Sequence, residues 1–248
     1  MSGSMRNSVS AQTTRKVAIL QSNYIPWKGY FDLLNSVDDF IFYDEVQYTK
    51  NDWRNRNRIK TAQGVQWLTI PVRQEQLAQK ISETRVDDLG WGARHWRTLA
   101  QNYSRAAYFE QYKEQLQELY CGPNSEFLSQ INQRFIRALN ELLGIRTRLH
   151  SSIDFQVHGD RTARLVELVQ AVGGTEYVSG PAARVYLDAD QFAQAGLGLR
   201  WMSYAGYPEY PQVHGSFEHH VSVLDLLLNA GPAASRYMLS FPNQPADL

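Results

Sequence analysis

Residues 16–60 read KVAILQSNYIPWKGYFDLLNSVDDFIFYDEVQYTKNDWRNRNRIK, with apolar runs alternating with polar, aromatic-rich joints as they do around a ligand crevice. Val17-Ala18-Ile19-Leu20 is a short apolar run of buried-strand type, and it stops at the polar Gln21-Ser22-Asn23. Tyr24-Ile25-Pro26-Trp27 then turns the chain. Pro26 fixes its own φ and biases Ile25 away from helix, while Gly29 permits an unusual backbone angle or a close approach to the main chain. From about Lys28 to Val37, the side chains of Phe31, Leu34 and Val37 share one helical face. Phe40 to Tyr43 makes a second strand, and Asp44 stands where it should end. Two strand ends separated by a helix-length crossover predict parallel neighbours, whose carboxyl ends bind ligands in α/β proteins. Gln21, Tyr24, Trp27 and Asp44 would then face a common crevice.

Arg54, Arg56 and Arg58 recur with a period of two, so an extended Trp53 to Lys60 would project three guanidinium groups from one face and Asn55 and Asn57 from the other. A guanidinium is a rigid fork of donors suited to phosphate or carboxylate. The competing reading is a solvated edge strand whose charges discourage aggregation. Thr61-Ala62-Gln63-Gly64 reads as the turn of a hairpin joining Arg56–Lys60 to Val65–Val72.

Downstream, Trp91 to Gly144 has helical periodicity, with Trp96, Leu99 and Tyr103, then Tyr112, Leu116 and Leu119, then Phe127, Ile131, Phe135, Leu139 and Leu142. Aromatics at that spacing are expected to be core. The second half returns to alternation: strand Ile145–His150, helix Asp160–Val172, strand Glu176–Ser179, helix Asp188–Ala195, strand Leu197–Tyr204. The expected fold is α/β, a mainly parallel sheet with flanking helices and a helical insert. Residues 1–15 read as a disordered leader or tag, 16–90 as an N-terminal α/β part carrying the site, and 91–144 as the insert. Residues 145–235 complete the same α/β domain, and 236–248 form a tail. A last helix is predicted from Phe217 to about Asn229, capped by Ser216, with His219 and His220 in its first turn.

The chain has 248 residues, with 25 basic and 25 acidic side chains. A neutral balance gives no general field for nucleic acid or a membrane surface, so the expected partner is small. A single cysteine, Cys121, allows neither an internal disulfide nor a two-cysteine zinc motif. Cys121 has no histidine near it in sequence to make a thiolate. No apolar run reaches membrane-span length and the start lacks a signal-peptide core, so the expected compartment is the cytoplasm. There is no Gly-rich dinucleotide fingerprint and no phosphate loop. His214 and His219 with an acidic residue invite a metal reading, but their spacing matches no standard ligand set, and neither metal nor cofactor is expected.

Several segments, taken in order, resemble the WbqC-like bacterial proteins: Gln21 to Phe31, Tyr43 to Tyr48 including Gln47, Asp52 to Ile59, Trp67 to Val72, Tyr177 to Pro181, Tyr210 to Gln212, and Ser222 to Leu227. The resemblance runs from about Lys16 to Gly231. It implies a biosynthetic enzyme of surface-polysaccharide or specialised-metabolite pathways that attaches an acyl or aminoacyl group to an amine. Its partners would be a small-molecule amine and an activated acyl donor, linked to CoA or a carrier protein. On that reading Asp44, His214 and His219 are the expected catalytic groups. Gln21, Tyr24, Trp27, Lys28 and Gln47 are expected to bind substrate, together with Asn55, Arg56, Asn57, Tyr177, Ser179 and Gln212. Lys28, Arg56 and the asparagines would hold an anionic handle. Two other readings stand beside it. Trp27-Lys28-Gly29-Tyr30 keeps the glycine of the HIGH signature, which points to ATP-dependent nucleotidyl transfer with Lys28 or Arg56 in place of histidine. The same segment also fits a non-catalytic module that presents a carrier-linked intermediate.

Overall fold

A computed structural model describes residues 14–241. Nine strands are present among them: β1 (Lys16–Leu20), β2 (Asp39–Phe42), β3 (Arg56–Thr61), β4 (Gly64–Thr69), β5 (Val72–Arg73), β6 (Arg85–Val86), β7 (Arg148–Ser151), β8 (Glu176–Ser179) and β9 (Gly198–Trp201). The α-helices are α1 (Lys28–Asn35), α2 (Trp91–Tyr103), α3 (Phe109–Cys121), α4 (Leu128–Leu143), α5 (Arg161–Ala171), α6 (Ala189–Gln194) and α7 (Val223–Ala230). Five strands form one parallel sheet in the order β7-β2-β1-β8-β9. Counted along the chain, that is a 3-2-1-4-5 order, whose direction of winding reverses between β1 and β8.

β1 is central, which explains why its sequence is a continuous apolar run rather than an alternating one. Val17 and Ile19 point to a layer containing Leu168, Val169 and Phe192 from α5 and α6. Ala18 points to the opposite layer, where Phe31, Leu34, Phe135, Leu224 and Leu227 pack. The α2–α4 region is continuous with that second core, so it covers one face of the sheet. The hairpin β3–β4 keeps part of the predicted period, with Asn57 and Ile59 buried and Arg56 and Arg58 half-exposed, but β3 begins at Arg56, so Arg54 lies in the preceding turn and not in an extended ladder of three arginines. Between the hairpin and α2 the short strands β5 and β6 pair antiparallel, Val72 with Val86 and Arg73 with Arg85.

At the amino end of the sheet Asp39 is fully buried and takes hydrogen bonds from Arg15, Arg148 and His150. Burial alone would raise its pKa, but those bonds outweigh it and hold the carboxyl well below the usual carboxylate range. Arg15 thus belongs to the fold, whereas residues 1–13 of the expected leader lie outside the described residues. Of the expected tail, residues 236–241 are described and pack back, Asp32 of α1 accepting the backbone N–H groups of Leu239 and Ser240 at 2.7 and 2.8 Å, whereas residues 242–248 lie outside the described residues.

The C-terminal helix differs from expectation. It starts at Val223, and its cap is Ser222, which accepts the Leu224 N–H at 3.3 Å, rather than Ser216. The reason is tertiary. Ser222 N–H donates to Arg58 O and Val223 N–H to Pro26 O, both at 2.8 Å, and Trp27 bridges Ser222, so the chain before Val223 is held extended. His219 and His220 consequently lie in the loop, not in a helical turn.

Candidate active site at the carboxyl edge of the sheet

The loop leaving β1 is held by contacts from far along the chain. Ile25 sits at φ 38°, unusual for a β-branched residue, and the Asn57 amide donates to both Tyr24 O (3.1 Å) and Ile25 O (3.0 Å). Tyr24 N–H donates to Trp53 O at 3.0 Å. The Tyr24 hydroxyl is buried against His95, whose Nε2–H donates to the Thr69 carbonyl at 3.2 Å, leaving Nδ1 to accept from Tyr24 at 2.8 Å. Burial pushes the His95 pKa down to about 4. Its neutral form therefore stabilises the fold above the unfolded value of 6.5, and that contribution is lost as the pH falls from 6.5 towards 4. The expected loss is about 3 kcal/mol. Urea unfolding at intervals across that window should show the slope in the wild type and lose it in His95→Gln; an equal slope in both would assign it elsewhere.

Two cavities flank this loop. One, of about 140 Å³, is mainly apolar and is lined by Asn23, Pro26, Trp27, Trp53, Asn57 and His220. The other is a polar cleft of about 520 Å³ whose wall includes Gln21, Tyr43, Gln47, Thr49 and Arg54, the start of α5, and Tyr186. They share a partition. Arg54 donates to the Asn23 side chain and, at 3.2 Å, to Gln21 Oε1, so one guanidinium ties the rims of both. Gly29 makes room for the partition's apolar side: a Cβ there would lie 2.3 Å from the Trp27 ring. The Trp27 ring also packs against Tyr204 (5.4 Å), Tyr207 (5.7 Å) and His220 (5.8 Å).

His220 Nδ1 lies 3.2 Å from Glu218 Oε1, and the same oxygen accepts the His220 backbone N–H at 2.8 Å. That backbone bond, together with the nearby charge of Arg58, holds Glu218 below its ordinary pKa against the effect of burial. The imidazole thus has one nitrogen on a carboxylate and its Nε2 without a protein partner among the described residues.

The expected site residues divide sharply. Gln21 and Gln47 line the cleft, and Trp27 and Asn57 line the apolar pocket, although the Asn57 amide is spent on the loop carbonyls. Tyr24 is core. Lys28 is buried, donating to Pro208 O at 3.1 Å beneath the rings of Tyr207, Tyr210 and Phe217. Burial lowers its pKa to about 8, with Asp32 and Asp225 acting in the opposite direction. Asn55 donates to Ile70 O, and Arg56 lies 4.3 Å over the Trp67 ring. Tyr177 stacks on Phe192 inside the α5–α6 layer, and Ser179 is buried at the end of β8.

Asp44 does not reach either cavity wall. It is 1% exposed, and it accepts Ser22 N–H (2.8 Å), Ser129 Oγ–H (2.6 Å) and Gln133 Nε2–H (3.1 Å), so it braces the β1 loop from behind. His214 faces Asn102 O at 2.8 Å. His219 packs on Phe217, and burial, then the Lys28 charge, lowers its pKa. Gln212 belongs to a buried network: it donates to Asp225 (2.7 Å) and accepts from Lys60 (2.8 Å), while Tyr103 and Tyr210 also donate to Asp225. Among the described residues, no group of three or more His, Cys, Asp or Glu side chains could hold a metal ion.

Arg54 was expected in the arginine ladder and His220 beside His219 at the helix start, so Arg161 and Arg164 are the site residues that the sequence reading did not single out as functional. Its one signal for the pair on α5 was the placement of two cations in the first turn of a helix, where the dipole disfavours them.

A parallel sheet wound in this order, with helices on both faces, defines an α/β protein, and residues 21–237 match the model of the WbqC-like protein family. The chain belongs to that family. It is 49% identical over 225 residues to "Uncharacterized protein Rv1507c" of Mycobacterium tuberculosis (strain ATCC 25618 / H37Rv), a span covering 90% of this chain and 97% of the relative. No solved structure matches significantly. No helix among the described residues is long and apolar enough to cross a membrane.

Proposed function

We propose that this WbqC-like protein is a cytoplasmic biosynthetic enzyme that transfers an acyl or aminoacyl group to an amine, with His220 as the general base. The observation that carries this reading is the Glu218–His220 pair, whose histidine lines the apolar pocket. A carboxylate on Nδ1 orients the ring and favours the tautomer whose Nε2 accepts a proton. The amine nitrogen attacks the acyl carbonyl, and its proton passes to His220 Nε2. The new C–N bond forms as the bond from the acyl carbon to its activating oxygen or sulfur breaks, and the proton follows to that leaving atom. The pocket, at about 140 Å³, has the scale of a cavity that admits benzene, so it suits a compact acyl group.

Nucleotidyl transfer is the second reading, favoured by the 3-2-1-4-5 strand order that sets Trp27–Tyr30, the start of α1, beside the winding reversal. Against it, Lys28 and Arg56, the residues that would replace histidine on a phosphate, are engaged with aromatic rings. Incubating the purified protein with nucleotide-linked amino sugars, acyl-coenzyme A species, aminoacylated carrier proteins and ATP separates the readings by mass spectrometry. The expected result is an acyl mass gain on an amine without pyrophosphate release. Pyrophosphate release from ATP would establish the second reading instead, and binding without product would make the protein a presenting module.

A further inference from the structure

With Lys28 and Arg56 engaged elsewhere, an anionic handle needs other cations, and three of them meet in the larger cleft. We propose that the cleft of about 520 Å³ is a phosphate-binding site in which Arg54, Arg161 and Arg164 grip the phosphate or diphosphate of the substrate. This rests on the group-transfer reading and names its substrate class as phosphorylated, either a nucleoside diphosphate or a phosphopantetheine arm.

The three arginines come from two distant segments, the turn before β3 and the first turn of α5, and all three line one cavity. Arg161 and Arg164 gain nothing from the helix they sit on, because the dipole disfavours cations at a helix start. Among the described residues neither forms an ion pair. Each is instead aimed by a contact that leaves its charge unmatched: Arg164 Nε donates to Gly159 O at 3.0 Å, and Arg161 lies 4.9 Å over the Tyr186 ring. Arg54 is aimed by Gln21 and Asn23, with Asp52 at 3.7 Å. Asp160 is the carboxylate on the cleft wall, and it is occupied as the α5 cap, accepting Ala163 N–H at 2.9 Å and Gln191 Nε2–H at 3.3 Å. A planar fork of donors matches phosphate oxygens in pairs, which is the chemistry three converging arginines provide. The volume lies in the range of small-molecule sites, large enough for a diphosphate with the start of its organic arm.

Calorimetric titration of the full chain tests this with three probes: inorganic pyrophosphate, UDP and coenzyme A. Each is titrated at low and high salt into the wild type, Arg161→Ala, Arg164→Ala and the double variant. Both α5 arginines are exposed, so the variants are expected to keep the wild-type circular dichroism and melting temperature. The expected result is pyrophosphate binding that weakens with salt, falls at least tenfold in each single variant and vanishes in the double variant. Tighter binding of UDP than of coenzyme A names a nucleotide as the source of the phosphate, and the reverse order names the pantetheine arm. Absence of binding by all three probes, or binding indifferent to both substitutions, overturns the site. Binding that behaves as expected while no amine is ever acylated overturns the group-transfer reading and leaves the site standing. Transfer that is unaffected by the double variant does the opposite.

Discussion

His220→Ala is expected to lower turnover by about 10²–10⁴-fold, the usual worth of a positioned general base. Because the ring is exposed and makes few packing contacts beyond the Trp27 face, stability should change by no more than about 0.5 kcal/mol. The measurement is kcat for acyl transfer beside a urea unfolding curve. Glu218→Gln keeps the shape but removes the charge that orients and supports the imidazolium, so its effect should be smaller and confined to kcat rather than KM. Wild-type kcat in His220→Ala would remove the base from the mechanism. Asp44→Asn offers the contrasting case. Because Asp44 is enclosed by Ser22, Ser129 and Gln133, its loss should appear first as lost stability of the β1 loop.

The second large effect is expected at Asp225→Asn, which should cost about 3–5 kcal/mol of unfolding free energy. Burial pushes the Asp225 pKa up, while hydrogen bonds from Tyr103, Tyr210 and Gln212 and the charge of Lys60 act to lower it. The carboxylate accepts on both oxygens, whereas asparagine offers one acceptor and turns an amide towards a donor that has no other partner. A buried Lys60 would also lose its countercharge. Tyr210→Phe removes only one of these bonds and should cost about 1 kcal/mol. The network fastens the loop that carries Glu218 and His220, because Gln212 both accepts the Glu218 N–H at 2.9 Å and donates to the Glu218 carbonyl at 3.0 Å. Asp225→Asn should therefore also raise KM, read in the same assay at a temperature where the variant is folded. Equal stability of Asp225→Asn and wild type would show that the network contributes nothing net.

The strands around the sheet were readable because central parallel strands leave no choice of composition: Val17 to Leu20 and Tyr177-Val178 are apolar on both faces. The hairpin was readable from the Thr61–Gly64 turn between two extended runs. What was not readable depended on partners remote in sequence. Asp44 has the right address, at the end of β2, yet its exposure is decided by Ser129 and Gln133, which arrive from α4. Ser216 reads as the cap in sequence, and only the pairing of Pro26 and Arg58 with the backbone at Ser222 and Val223 moves the helix start beyond it. Arg161 and Arg164 looked like the polar face of any amphipathic helix, because convergence with Arg54 is a property of the folded chain. Lys28 resembled an anion contact from its neighbours in sequence, and only the folded loop shows the rings of Tyr207, Tyr210 and Phe217 around it.

Ile25, held at φ 38° by the side chain of Asn57, bears on how such a site can change over generations. A backbone angle of this kind costs about 1–3 kcal/mol and persists only where its surroundings impose it. The surroundings here are a hairpin that begins some thirty residues later, so the bend of the first loop is not inherited with the loop's own sequence. A transplant of Gln21 to Phe31 into another parallel sheet would carry the letters and lose the shape. Lineages that alter the hairpin freely would have to relax the loop in the same step, and drift in one segment is thereby tied to drift in the other.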